Sequence, residues 1–344
     1  MGGVSSIRVA VSLAVLAIGL DSGTRSLQSQ ATIPELEREV ARIAAAAPAQ
    51  VGVAITHVET QRTAFVNGDE WFPMASTYKI PIALTVLNRV ERGSLRLDSL
   101  VPLEPADIVP FGSLLTERFG DSTDPGVTLS VRRYLELMLV SSDNTATDVL
   151  LRTIGGTPAV MARLAELGAS NIEVTHTVME LGATWLGFDL PPRSERTVVT
   201  MRRLMEQVKP EQVATSSRAF LASHHDHATP RAVAGLLVRI INGNALASKS
   251  RDLLLDLMTR DETGKNRLRG FLPPGVKVSS KTGTIQGNAE NDVGVIFLPD
   301  GSHLVVAAYT KNARAEPRVL ERVIADIGRT AYDFFAMERN QPRR

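Results

Sequence analysis

The chain has 344 residues, 44% hydrophobic and 22% charged, with a formal net charge of +1. That composition is ordinary for a globular protein of one large or two intimately packed domains, and the near-zero charge removes the electrostatic case for nucleic acid or an anionic membrane as partner. No cysteine occurs anywhere, which excludes a disulfide framework, a lipid-anchored cysteine and thiolate chemistry.

Taken in chain order, Arg8 precedes an apolar stretch over residues 9–20 that is too short to span a bilayer as a helix. Ser29-Gln30-Ala31 offers small residues for cleavage. Residues 1–31 are therefore expected to be an export signal, leaving a single periplasmic or secreted unit over 32–344 with no membrane anchor. "TIPELEREVARIAAAA" has an N-cap candidate, an early proline and helical periodicity. "VGVAITHVE" and "TAFVNGD" read as a hairpin. A helix follows in "ASTYKIPIALTVLNRVERG", ending at Gly93. More helices are predicted in "SVRRYLELMLV", "ATDVLLRTIGG" and "PAVMARLAELG". From 172 to 230 the pattern weakens, apart from a helix at "ERTVVTMRRLMEQV". Helices return in "PRAVAGLLVRIING" and "SRDLLLDLMTR". Three strands, "VKVSSKTG", "NDVGVIFL" and "HLVVAAYT", precede a last helix over 316–337.

Strands confined to the two ends predict an α/β fold of the α+β type. An antiparallel sheet of about five strands, built from both chain ends, is covered by helices, and an all-helical region is inserted. The sheet-bearing region is expected at about 32–75 and 232–344, the helical one at about 76–231.

Three short motifs stand in order. Ser76 and Lys79 form S-x-x-K within "FPMASTYKIP". Ser142-Asp143-Asn144 is S-D-N just past an apolar helix, and Lys281-Thr282-Gly283 is K-T-G at a strand end. A serine hydroxyl is a poor nucleophile until a base takes its proton. Ser76 and Lys79, three apart on one helix face, can lie within hydrogen-bond reach. Desolvation and a second cation can lower a lysine's pKa enough to make it that base. Lys281 is the natural second cation and can also attract a substrate carboxylate.

With "VSSDNTATDVLL", "TGKNRLRGFLPPGVKVSSKTGT" and "NDVGVIFLPDG", these motifs make most of residues 32–337 resemble a class A β-lactamase. The resemblance implies a β-lactamase-like fold and opening of a small-molecule β-lactam through an acyl-enzyme on Ser76, without a cofactor or metal. It further implies that Ser142 relays a proton to the leaving nitrogen. Asn144 would orient Lys79 and bond the substrate's amide. Backbone N–H groups of Ser76 and Thr284 would form the oxyanion hole, and Thr282, Gly283 and Thr284 would line the substrate site.

The family pattern fails at two places. Class A enzymes release the acyl group with a glutamate in R-x-E-x-x-L-N, after S-D-N. Here "NIEVTHTVMELGATWLG" puts Val178 at the glutamate position and His176 at the arginine position. Glu180, two residues on, is the best candidate base and Glu173 a weaker one. If neither reaches the acyl bond, the protein is expected to acylate and turn over slowly. Some fifty residues then precede "ATPRAVAGLL", so the loop has been rebuilt. The arginine that often holds the substrate carboxylate is not supplied at Val293; Arg314 or Arg318 is the expected substitute, with the Thr282 and Thr284 hydroxyls as another way to hold that group.

"SHHDHA" (His224, His225, Asp226, His227) reads as a polar loop rather than a metal site, because adjacent residues seldom converge on one ion. Tyr78 is expected to pack locally, and Trp71 and Phe72 to pack beneath the nucleophile helix or, alternatively, to stand at the pocket rim. Nothing requires more than a monomer. Two other readings share the acylation residues: a D-alanyl-D-alanine carboxypeptidase or related peptidase or esterase, and a soluble binder that acylates and scarcely deacylates.

Overall fold

In the computed structural model the chain divides into two units, Met1–Gln30 and Ala31–Arg344; residues 1–2, 32–119 and 126–338 are described. Apart from its first two residues, the expected export signal lies outside the described residues.

Helix α1 (Pro34–Ala46) starts with proline in its first turn and buries Leu36 and Val40. Strands β1 (Gln50–His57) and β2 (Arg62–Val66) form the expected hairpin, with Val53 opposite Val66. Every residue of β1 after Gln50 is buried, because both faces of the sheet are covered. Period-two alternation sorts them: Val51, Val53 and Ile55 join one core, and Ala54 joins the larger core shared with the inserted helices.

Strand β3 (Phe72–Pro73) leads into a 3₁₀ turn, Ala75–Tyr78, and then α2 (Lys79–Glu91). The regular helix thus begins at Lys79 and leaves Ser76 in the tighter turn before it. Residues 79 to 87 of α2 are all buried, so this helix runs through the middle of the larger core. Strand β4 (Leu100–Pro102) pairs with β5 (Thr128–Ser130), flanking α3 (Leu114–Phe119). Helix α4 (Val131–Val140) is capped by Ser130, and α5 (Asn144–Ile154) by Asp143. Helix α5 stops at Gly155, whose φ of 94° is the left-handed conformation common at helix ends. Helix α6 (Thr157–Glu166) follows.

Where the sequence pattern weakens, three helices form rather than one: α7 (Val178–Leu186), α8 (Val198–Glu206) and α9 (Pro210–Leu221). Only α8 is legible beforehand. Helix α7 contains Gly182, Thr184 and Trp185, which are poor helix formers, and is secured by a Thr177/Glu180 capping box. Helix α9 buries only Phe220, too little apolar surface to leave a helical period.

The chain returns through β6 (His227–Ala228), which pairs with β3. Helices α10 (Pro230–Ile241) and α11 (Ser248–Thr259) precede β7 (Val278–Ile285), β8 (Ala289–Phe297), β9 (His303–Lys311) and α12 (Pro317–Glu338). The five-stranded sheet has the order β2-β1-β9-β8-β7 with every neighbour antiparallel. Both chain ends build it, as the sequence predicts. Among the described residues no helix is long and apolar enough to cross a membrane.

Candidate active site

Residue Ala75 sits at φ 47°, and this sharp step out of β3 delivers Ser76 to the face of β7. The approach is close. A Cβ built on Gly283 would lie 2.5 Å from Met74 O and 3.1 Å from Ser76 N, so only glycine fits there. Asn291 on β8 ties the turn from behind, donating to Pro73 O at 2.8 Å, and the Tyr309 and Thr77 hydroxyls meet at 3.0 Å. Substituting Gly283→Ala should therefore push β7 off the nucleophile turn. The expected result, read by adduct formation on Ser76, is acylation at least tenfold slower, since small misplacements of reacting groups cost that much or more. A circular dichroism spectrum like the parent's separates this effect from unfolding.

The Lys79 N–H closes the turn by bonding Ser76 O and Thr77 O. Lys79 is fully buried. Its ammonium donates to Ser142 O at 2.6 Å, Ser142 Oγ at 3.1 Å and Asn144 Oδ1 at 2.8 Å. Burial, with the Lys281 cation adding to it, holds Lys79 well below the usual lysine range. Lys281 is also fully buried, and donates to Thr282 O at 3.1 Å. Burial brings it down to about 8, while the Asp261 and Asp292 carboxylates oppose the fall.

The S-D-N turn is held from three sides. Ser142 has φ 59°. Asp143 accepts from Ser113 Oγ, Leu115 N and Ala146 N at 2.9, 3.1 and 2.8 Å. Asn144 donates to Phe111 O at 3.0 Å while its Oδ1 receives Lys79. One asparagine thus joins the lysine to the loop carrying Gly112.

These groups open on a cleft of about 480 Å³ lined by Ser76, Ser142, Asn144, Thr282, Gly283 and Thr284. The structure therefore brings together the three motifs that the sequence singles out. A guanidinium stands behind that wall, and it is neither Arg314 nor Arg318. Buried Arg267 donates to Gly283 O at 3.1 Å, Asn291 O at 2.8 Å and Thr284 Oγ1 at 2.7 Å, and pairs with Glu290. The run "TGKNRLRG" carried the signal: an arginine between close-packed glycines, a short way before the K-T-G strand.

Glu180 lies elsewhere. Its carboxylate accepts from Thr177 N at 2.9 Å to complete the α7 cap. It lines a separate cavity of about 270 Å³ with Asp107, Asp148, Arg152 and Arg193. Glu173 is placed by its own N–H on His227 O, 2.9 Å away. Val178 and Met179 donate their backbone N–H groups to the two oxygens of Asp148 at 2.7 and 3.0 Å. Burial pushes Asp148 up to about 7 against those two bonds, with Asp107 and Glu180 adding to the rise.

The "HHDH" run is tied to Trp71, to His176 and to itself. His224 stacks on Trp71 at 4.3 Å, and His225 meets the ring of His176 edge-on at 5.7 Å. Asp226 pairs with His176 at 2.6 Å, and His227 donates through Nδ1 to His225 O at 2.7 Å. Among the described residues no cluster of His, Cys, Asp or Glu is arranged to hold a metal ion. Phe72 is fully buried against Gly52 and Tyr309. Among the described residues the buried Tyr78 hydroxyl has no hydrogen-bond partner.

The family model described as "Beta-lactamase enzyme family" matches residues 35–335. The chain is 28% identical to β-lactamase VEB-1 of Pseudomonas aeruginosa, over 89% of this chain and 92% of that protein. It is 27% identical to the extended-spectrum β-lactamase PER-1 of the same organism, over 90% of each. A β-lactamase from Chitinophaga pinensis superposes with a TM-score of 0.72 at 30% identity, covering 88% of this chain and 99% of that one. A reconstructed class A β-lactamase of the last common ancestor of Gram-negative bacteria gives 0.71 at 29% identity, over 87% and 100%. The chain belongs to the β-lactamase enzyme family and is of the class A type that its sequence resembles.

Proposed function

We propose that the protein is a serine β-lactamase that opens the β-lactam amide by acylating Ser76 and releases the acyl group slowly. The observation that carries this reading is the buried Lys79 amine, hydrogen-bonded to both Ser142 and Asn144 and depressed in pKa. Neutral Lys79 takes the Ser76 proton as Oγ attacks the lactam carbonyl. Ser142, already in contact with Lys79, passes a proton to the departing ring nitrogen. The N–H groups of Ser76 and Thr284 receive the developing oxyanion, which requires β7 to run as close to the turn as Gly283 allows. Lys281, Thr282 and Thr284, backed by Arg267, hold the substrate carboxylate.

Release needs a base for water. Val178 stands where the family carries that base, and Glu180 is engaged in its helix cap beside another cavity. This arrangement supports acylation outrunning release. The apolar stretch after Arg8 supports export of the mature unit, which would act on β-lactams as a monomer in the periplasm or outside the cell.

The test is intact-protein mass spectrometry during reaction with a penicillin and a chromogenic cephalosporin. A lasting adduct on the parent, absent from Ser76→Ala and unchanged in Glu180→Gln, is the expected result. Fast turnover that is lost, with adduct trapped, in Glu180→Gln would make Glu180 the deacylating base after all. No adduct and no turnover would overturn the β-lactam reading.

A further inference from the structure

The segment between Thr175 and Asp226 leaves the fold and returns to it at one hydrogen-bonded knot. Asp226 is 1% exposed and has φ 55°. Its carboxylate accepts from Thr175 N at 2.9 Å, Thr175 Oγ1 at 3.1 Å and His176 N at 3.2 Å, and meets His176 Nδ1 at 2.6 Å. Its backbone carbonyl accepts from Met74 N at 2.9 Å. Residues 227–228 pair with 72–73. One residue therefore holds the start of the rebuilt loop with its side chain and the strand feeding the Ser76 turn with its main chain.

We propose that the His176–Asp226 pair positions the Ser76 turn and the start of α7, closing when His176 is protonated and loosening as it loses its proton. The inference rests on the reading of Ser76 as nucleophile, because its catalytic readout is acylation. The groups facing the imidazole are Asp226, Glu180 at the α7 cap, the neutral Thr175 hydroxyl at 3.1 Å and the edge of His225. The hydrogen bond to Asp226 raises the His176 pKa, burial opposes it, and Glu180 adds to the rise. A histidine raised above its unfolded value stabilises the fold fully below that value, about 6.5, and ceases to do so as pH climbs through the folded pKa. Neutral imidazole can keep the Nδ1–H bond but loses the charge that makes it strong. The knot should therefore be tight in mild acid and loose in mild alkali.

Acylation of Ser76 at saturating chromogenic cephalosporin is measured from pH 5.5 to 9 in the full chain, His176→Arg and His176→Gln. Arginine keeps a cation at every pH and glutamine never supplies one. The His176→Arg to parent ratio should be near one in acid and rise about threefold or more by pH 9, given that one pKa unit equals a tenfold coupling. The His176→Gln ratio should begin at about one third and approach one. Ratios that stay flat with pH would overturn the proposal. Lys281 titration does not confuse the reading, since it is common to all three proteins and acts on affinity.

Two further measurements need no acylation, so they separate failure of the latch from failure of the nucleophile reading. The His176 ring proton, followed by NMR, should titrate above the ordinary histidine value and fall back in Asp226→Asn; an unchanged titration would overturn the pairing. Tryptic cleavage between Arg193 and Lys209, compared at one alkaline pH, should be faster in the parent than in His176→Arg; equal rates would count against the latch.

Discussion

Placing a carboxylate at the start of α7, by Val178→Glu, should shorten the life of the acyl-enzyme by about 10²–10⁴-fold, the usual contribution of a positioned general base. The main chain there is already fixed, because the Val178 and Met179 N–H groups are both held by Asp148. A glutamate in the first turn of a helix is also favoured by the helix dipole. Two effects oppose its ionisation. The Val178 side chain is buried, and Asp148 lies beside it as a second carboxylate. Both raise the new group's pKa, so the gain should grow with pH and be small in acid. The decisive quantity is the decay of the Ser76 adduct by mass spectrometry, pH by pH, with acylation measured separately. Unchanged decay in a variant that still acylates would mean that α7 does not present position 178 to the acyl bond, and that slow release has another cause.

The contrast between what the sequence discloses and what it hides follows from how each part is built. Ser76, Lys79, Ser142 and Lys281 are readable because each lies on a regular element or in the short turn that directly adjoins one, so residue spacing converts directly into geometry. The sheet is readable because β1 and β9 are covered on both faces and must be almost uninterrupted apolar runs. Arg267 is not readable in that way. It sits in an irregular segment after α11, and its place behind Thr284 depends on the approach of β8 with Glu290, over twenty residues later. Helix α7 hides for another reason: its stability comes from the Thr177/Glu180 cap and from Asp148, not from its residue preferences. The same cap engages the Glu180 carboxylate with Thr177 N, which proximity along the chain could not reveal. The His176–Asp226 knot closes a gap of 50 residues, and no local pattern reports a contact so distant.

Removing the buried amine, by Lys79→Met, should slow acylation by about 10²–10⁴-fold while leaving the fold cooperative, and the pH profile of the parent should show why. In the proposed mechanism acylation requires Lys79 neutral and substrate capture requires Lys281 charged. Lys79 is depressed far from its ordinary value of 10.5, so the rate rises with pH through its titration and reaches its ceiling well below the pH at which a solvated lysine would serve. Lys281 is brought to about 8, so its attraction for a substrate carboxylate fades as pH rises through that value. The rise belongs to the acylation rate constant, and the Lys281 fall belongs to KM. Substituting Lys281→Arg keeps the charge through pH 9 and should abolish that alkaline increase in KM, though the bulkier head lowers affinity at every pH. Lys79→Met should leave the KM limb in place while removing the acid-side rise. Acylation as fast in Lys79→Met as in the parent would mean that Lys79 is not the group that takes the serine proton. The cation pair would then act only by holding Ser142, Asn144 and the substrate in register.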